Sequence, residues 1–130
     1  MNAENTDEVP IIFRYTRAQA IEDGVLIDLT SWGRETGFVV PVACTSAVWH
    51  QWIVPPEEVQ QLGQSERGRA HDLLWVLFCA IRAGGHGNHV LFKVGFQQSA
   101  RQHVTAEFRA VCGPGDDGEP VLTIMLPDED

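Results

Sequence analysis

Apolar positions along the chain recur with two different periods, and the change of period divides it into elements. Ala70, Leu73, Leu74, Leu77, Phe78 and Ile81 fall at steps of three and four, the spacing that places side chains on one face of a helix. Ser65 stands where a cap belongs and Gly84-Gly85 where such a helix stops, so the longest helix is predicted between them. Trp75 and Val76 widen its apolar side, which predicts a helix buried over most of its surface. Beyond it the period falls to two. Val90, Phe92, Val94 and Phe96 alternate with His89, Leu91, Lys93 and Gly95. Val104, Ala106, Phe108 and Ala110 alternate in the same way with His103, Thr105, Glu107 and Arg109. Residues 121–126 form a third apolar run. Three such strands with short links predict an antiparallel meander whose apolar face covers the long helix. The stretch 112–120 is so rich in Gly and Pro that it predicts a loop extending neither flanking strand.

The N-terminal half reads as shorter pieces. Thr16-Arg17-Ala18-Gln19 is a capping box that opens a short helix, and Gly24 can close it in the left-handed conformation. Val25, Ile27 and Leu29 share one face of a strand over 25–29, and a polar turn follows around Trp32-Gly33. Residues 38–43 predict a second strand, placed at an edge or starting late because Pro41 has no N–H to donate. Thr45 or Ser46 caps a helix through about Ile53, with Val48, Trp49, Trp52 and Ile53 at helical spacing; Pro55-Pro56 ends it, and residues 57–62 add a turn. The architecture this predicts is a single α+β domain over 11–130, preceded by a flexible acidic arm over 1–10. Its sheet is mainly antiparallel and closes on the C-terminal three-stranded meander. One long central helix and shorter N-terminal helices pack on one face.

Composition narrows the function classes. At 130 residues and 44% hydrophobic, the chain suits one domain with a proper core. Cys44, Cys79 and Cys112 are odd in number and far apart, as in a reducing compartment. The N-terminus is polar and acidic where a secretory signal would be basic and then apolar, and no apolar run is long enough for a bilayer. The expected location is the cytoplasm. Eighteen acids against nine bases give a net charge of −9, which disfavours direct binding to nucleic acid or its phosphates and favours a protein partner with a basic surface. Six of the acids (Asp116, Asp117, Glu119, Asp128, Glu129 and Asp130) bracket the last strand. They are the candidate binding residues, on the expectation that they form one continuous electronegative face.

Candidates for chemistry are sparse. Cys44 lies at a predicted strand-to-helix junction, where helix amides and dipole can lower a thiol pKa; a small buried thiol at a packing junction is the commoner case. His86 and His89 are close in sequence, and His103 can approach His89 across the first hairpin, but no further ligand motif completes a zinc set. Asp116-Asp117-Gly118-Glu119 lacks the alternating ligands and distal glutamate of a calcium loop and reads as a turn. Neither a cofactor nor an enzymatic activity is expected. Trp49, Trp52 and Trp75 fall on helical stripes and are expected in the core. Trp32, in a polar turn, is either an exposed anchor for a partner or folded back on the sheet.

Residues 15–26 (Tyr15 through the capping box to Leu26), 41–49 (Pro41-Val42-Ala43-Cys44-Thr45-Ser46-Ala47-Val48-Trp49), 112–120 and 126–130 together resemble a family of small acidic proteins of unknown function carried on bacterial plasmids and integrative conjugative elements. The likeness covers nearly all of the chain after the arm. It implies genomic company, since such elements often carry anti-restriction and other anti-defence genes, and it implies no activity. Three functions follow as expectations. The first is an inhibitor of a nucleic-acid-handling host defence system, its carboxylates occupying a groove made for phosphates. The second is an accessory or structural protein-interaction module that binds through apolar contacts such as Trp32 or the strand containing Pro41. The third is an enzyme dependent on Cys44.

Overall fold

The computed structural model describes residues 14–84 and 87–129; the arm expected over 1–10 lies outside them. Helix α1 (Arg17–Glu22) opens on the expected capping box. The Thr16 hydroxyl accepts from the Gln19 amide at 3.0 Å, and the Gln19 side chain accepts from the Thr16 amide at 2.8 Å. Strand β1 (Leu26–Asp28) follows. The turn expected around Trp32-Gly33 is instead a helix, α2 (Thr30–Thr36). Asp28 starts it by accepting from the Thr30 amide at 3.0 Å. Gly33 is there for close approach: a Cβ on it would lie 3.3 Å from Val42 Cγ2, so the missing side chain lets the helix sit down on the next strand.

That strand, β2 (Val42–Thr45), begins only after Pro41, as the missing donor requires, and residues 38–40 run outside it. It lies inside the sheet and not at its edge, with Val42, Ala43 and Cys44 fully buried. Thr45 then caps α3 (Ser46–Val48), which widens into a π-helical turn over Trp49–Ile53. A further turn, α4 (Glu57–Gln60), leads to the long helix α5 (Glu66–Arg82), capped by the Ser65 hydroxyl. Ala70, Leu73, Leu74 and Leu77 of α5 have no exposure, as their spacing predicts. Trp75 does not join them and is 51% exposed. Two residues from Leu77, at 100° per residue, it points nearly the opposite way.

Strands β3 (His89–Gln97), β4 (His103–Pro114) and β5 (Pro120–Met125) form the expected antiparallel meander. The sheet order is β1-β2-β5-β4-β3, antiparallel throughout except for the parallel pair β2–β5. Glycine and proline do not end the strands where expected: Gly113 pairs with Val121 and Pro114 with Pro120. The two prolines close the ladder, where a missing N–H breaks nothing further along. Phe92, Val94, Phe96, Phe108, Leu122 and Ile124 face α5 and form the core with its leucines. Burying each of these side chains contributes about 1.5–3 kcal/mol. The helices do not all lie on that face. Arg17 of α1 donates to Thr123 Oγ1 at 2.7 Å, and Thr123 projects from β5 on the side away from Leu122 and Ile124.

One buried cation ties the layers together. Arg69 of α5, 1% exposed, donates to the Trp52 carbonyl at 2.8 Å, to the Gln97 carbonyl, and to the side chains of Gln64 and Gln98 at 3.1 and 3.0 Å. It thereby joins the π-helical turn to the end of β3.

Candidate functional site

The acidic residues fall into two groups, one at each end of β5. Asp116, Asp117 and Glu119 lie in the β4–β5 hairpin, and Asp128 and Glu129 follow the other end; Asp130 lies outside the described residues. At about 3.3 Å per residue the strand separates the groups by roughly 20 Å. The acids expected to form one face thus stand in two groups at opposite ends of β5.

Several of these acids also have internal partners. Asp116 accepts from the Arg17 amide at 2.7 Å and the Ala18 amide at 3.1 Å, capping α1 from across the molecule. Those two amides, more than the nearby Arg14 and Arg17 charges, hold its carboxyl below the usual range. Glu119 accepts from the Asp117 amide at 3.0 Å and so shapes the hairpin turn. Glu129 accepts from Thr45 Oγ1 at 2.7 Å and from the Leu126 amide at 2.8 Å, fastening the C-terminal turn onto β2. Asp117 and Asp128 are exposed.

The candidates for chemistry come apart in a similar way. Cys44 sits inside β2, flanked by β1 and β5, and has no exposure. Burial, and then Glu129, push its thiol up to about 12, the opposite of an activated nucleophile. The helix cap is Thr45, one residue on. His89 and His103 do not approach one another: His89 pairs with Val111 and His103 with Gln97, at opposite ends of the β3–β4 ladder and about 25 Å apart. His86 lies outside the described residues, among which no cluster of metal-ligating side chains occurs.

Trp32 lies on α2, half-buried. It stacks on Trp49 at 6.4 Å between centroids, with the Arg67 guanidinium 5.8 Å from its ring. It is folded back, onto another tryptophan and not onto the sheet, and it borders two further grooves by Arg67.

A different place carries unsatisfied surface. Residues 37–40 run past the C-terminal half of α5 and leave an apolar groove of about 390 Å³ walled by Phe38, Val39, Val40, Phe78, Ile81 and Leu122. Gly37, at φ 128°, makes the turn into it, and a Cβ there would come 3.0 Å from the Phe78 ring. Phe78 is held edge-on by Phe38 at 5.4 Å and flat by Trp75 at 5.9 Å. Of the lining residues Val39 is 91% exposed and Ile81 37%; Trp75, 51% exposed, lies beside the groove against Phe78. Among the described residues no carboxylate lines the groove, and Arg82 is its one charged residue.

A family of unknown function, DUF6573, matches residues 1–130. The chain belongs to that family. No curated protein and no solved structure matches it. The family match carries no statement of activity. Of the groove's walls the sequence pointed only to the second strand containing Pro41, as a general contact surface. The available signals were small: Val39-Val40 stands before a proline that delays the strand, and Trp75 falls off the helical stripe.

Proposed function

We propose that this chain is a protein-binding module that seats an apolar side chain of a partner in the groove between residues 37–40 and the C-terminal half of α5. The exposed apolar rim carries the proposal. Val39 and Ile81 lie along the same concave wall, and the exposed Trp75 stacks on Phe78 beside it, in a chain of net charge −9. Apolar side chains that could have been buried against neighbours, and are not, mark interaction sites when they are contiguous and rimmed by polar residues. The net charge of −9 favours a partner with a basic surface, drawn in by long-range attraction and then held by apolar burial. The acids therefore set the rate of encounter, and the groove sets the lifetime.

Phosphate mimicry, in which Asp116, Asp117, Glu119, Asp128, Glu129 and Asp130 fill a basic groove of a host defence protein, is the weaker proposal. It needs those carboxylates side by side and unoccupied, and Asp116 and Glu129 already serve α1 and β2. A location in the cytoplasm is proposed on the three free cysteines, odd in number and far apart. Carriage on a mobile genetic element, implied by the resemblance, makes the partner either another protein of the element or a host protein.

The test is affinity capture from host lysate at low and high salt with three baits: the wild type, a groove variant (Val39→Asp with Ile81→Glu), and a chain with the six acids changed to Asn and Gln. The proposal expects one protein retained at high salt by the first and third baits and lost by the second. Retention by the groove variant together with loss on acid neutralisation would reverse the ranking in favour of mimicry.

A further inference from the structure

The outer strand of the sheet offers a second surface, independent of the groove. Among the described residues β3 is hydrogen-bonded only to β4, and no strand lies beyond it. The direction of each of its backbone groups can be deduced. Before the ladder, the Cys112 amide donates to the Asn88 carbonyl at 2.9 Å; after it, the Gln98 amide donates to the Gln102 carbonyl at 2.8 Å. Bonded and non-bonded pairs alternate along an antiparallel ladder. Val90, Phe92, Val94 and Phe96 therefore direct their amides and carbonyls to β4, and His89, Leu91, Lys93 and Gly95 direct theirs outward. Gln97 also faces outward, but its carbonyl is taken by Arg69.

The same four outward residues expose their side chains, Leu91 to 61%. Nothing stands within 4 Å of the position a Cβ on Gly95 would occupy. The usual protections of an edge strand are nearly all missing: β3 has no proline, and its nine residues pair one-to-one with β4 without a bulge. Only Lys93, the one lysine of the chain, stands in the middle. Charge gives the edge its preference. Along β3 and the facing part of β4 the bases are Lys93 with His89 and His103, Arg101 lies in the turn between, Arg109 turns away to Met125 and the Glu129 carbonyl, and the sole acid is Glu107, opposite Lys93. In a chain of net charge −9 this is a locally cationic strip.

We infer that the free edge of β3 takes an extended segment of a partner protein as a sixth strand, through the outward amides and carbonyls of His89, Leu91, Lys93 and Gly95, with a carboxylate of that segment beside Lys93. Main-chain hydrogen bonds supply affinity in such strand addition, and the alternate side chains supply selectivity. A second copy of this chain is the poorer occupant. Two-fold antiparallel pairing of β3 with itself puts no acid opposite Lys93 in any register, and it joins two bodies of like charge.

The test uses a blocked peptide of alternating valine and glutamate, its lysine counterpart, and a form N-methylated on alternate amides, followed by amide NMR on the full chain. In the free protein the amides of Val90, Phe92, Val94 and Phe96 should resist hydrogen exchange while those of Leu91, Lys93 and Gly95 exchange readily. The glutamate peptide should slow those three, and the N-methylated and lysine peptides should bind at least about tenfold more weakly. Gly95→Pro removes one outward N–H without touching the ladder to β4, so it should weaken the peptide about tenfold and leave the melting temperature unchanged. Lys93→Glu should invert the preference between the glutamate and lysine peptides. The inference is overturned if the outward amides are already protected in the free chain, if the N-methylated peptide binds equally well, if no peptide binds, or if Gly95→Pro abolishes a dimer of the protein itself.

Discussion

The acidic ends of β5 and the apolar groove beside α5 have opposite relations to their surroundings. The acids are conspicuous in the sequence, yet Asp116, Glu119 and Glu129 have found work inside the fold as caps and turn-formers. The groove is inconspicuous in the sequence, drawn from segments far apart along the chain, yet it leaves Val39 and Ile81 in water. A charge at the surface is solvated and costs little to leave unpartnered, so it says little about binding. Contiguous exposed apolar area is unfavourable, and it is the better sign of a partner.

The largest effect that sharpens this contrast comes from the other side of the same helix. Leu77→Ala should lower stability by about 2–5 kcal/mol in urea denaturation, because the closed core cannot fill the cavity. Gly37→Ala should cost about 1–3 kcal/mol, since φ 128° is strained for any side chain. It should also displace Phe78 and so impair partner capture beyond what the stability loss explains.

How much of this was legible in the sequence follows from which interactions are local. The buried face of α5, the alternation of β3 and β4, and the capping box at Thr16 depend on neighbours along the chain, and they appear as predicted. Gly33 looked like a turn residue because its reason, contact with Val42, lies across space. Pro114 and Pro120 looked like strand breakers because their pairing with each other at the end of a ladder is tertiary information. The candidate site was less legible. Asp116 is close to Asp117 in sequence, but its function is set by the amides of Arg17 and Ala18. Trp75 reads as part of a helical stripe, but it stands about 200° round α5 from Leu77 and is exposed.

Smaller effects separate the acids from one another. Asp116→Ala should lower the melting temperature, and Asp117→Ala should leave it unchanged. The Asp116 carboxyl is held below its unfolded value, so its contribution is complete above an unfolded pKa of about 3.9 and is lost as pH falls through the lower folded value. Acid titration of wild type and Asp116→Ala should converge in that range; a constant gap down to the lowest pH would contradict the cap. Cys44 should not react with a thiol reagent at mildly alkaline pH until the chain unfolds, whereas exposed Cys79 should react at once. The groove itself contributes little to stability: Val39→Asp should change it by less than about 0.5 kcal/mol, as surface substitutions do.

That last variant leads to the most direct measurement. Once the partner retained at high salt has been purified, its dissociation rate should be compared between the wild type, Val39→Asp and the chain with six neutralised acids. A groove that holds the partner predicts much faster dissociation from Val39→Asp, with acid neutralisation slowing association and barely altering release. Unchanged release from Val39→Asp, with rapid release after neutralisation, would contradict the account.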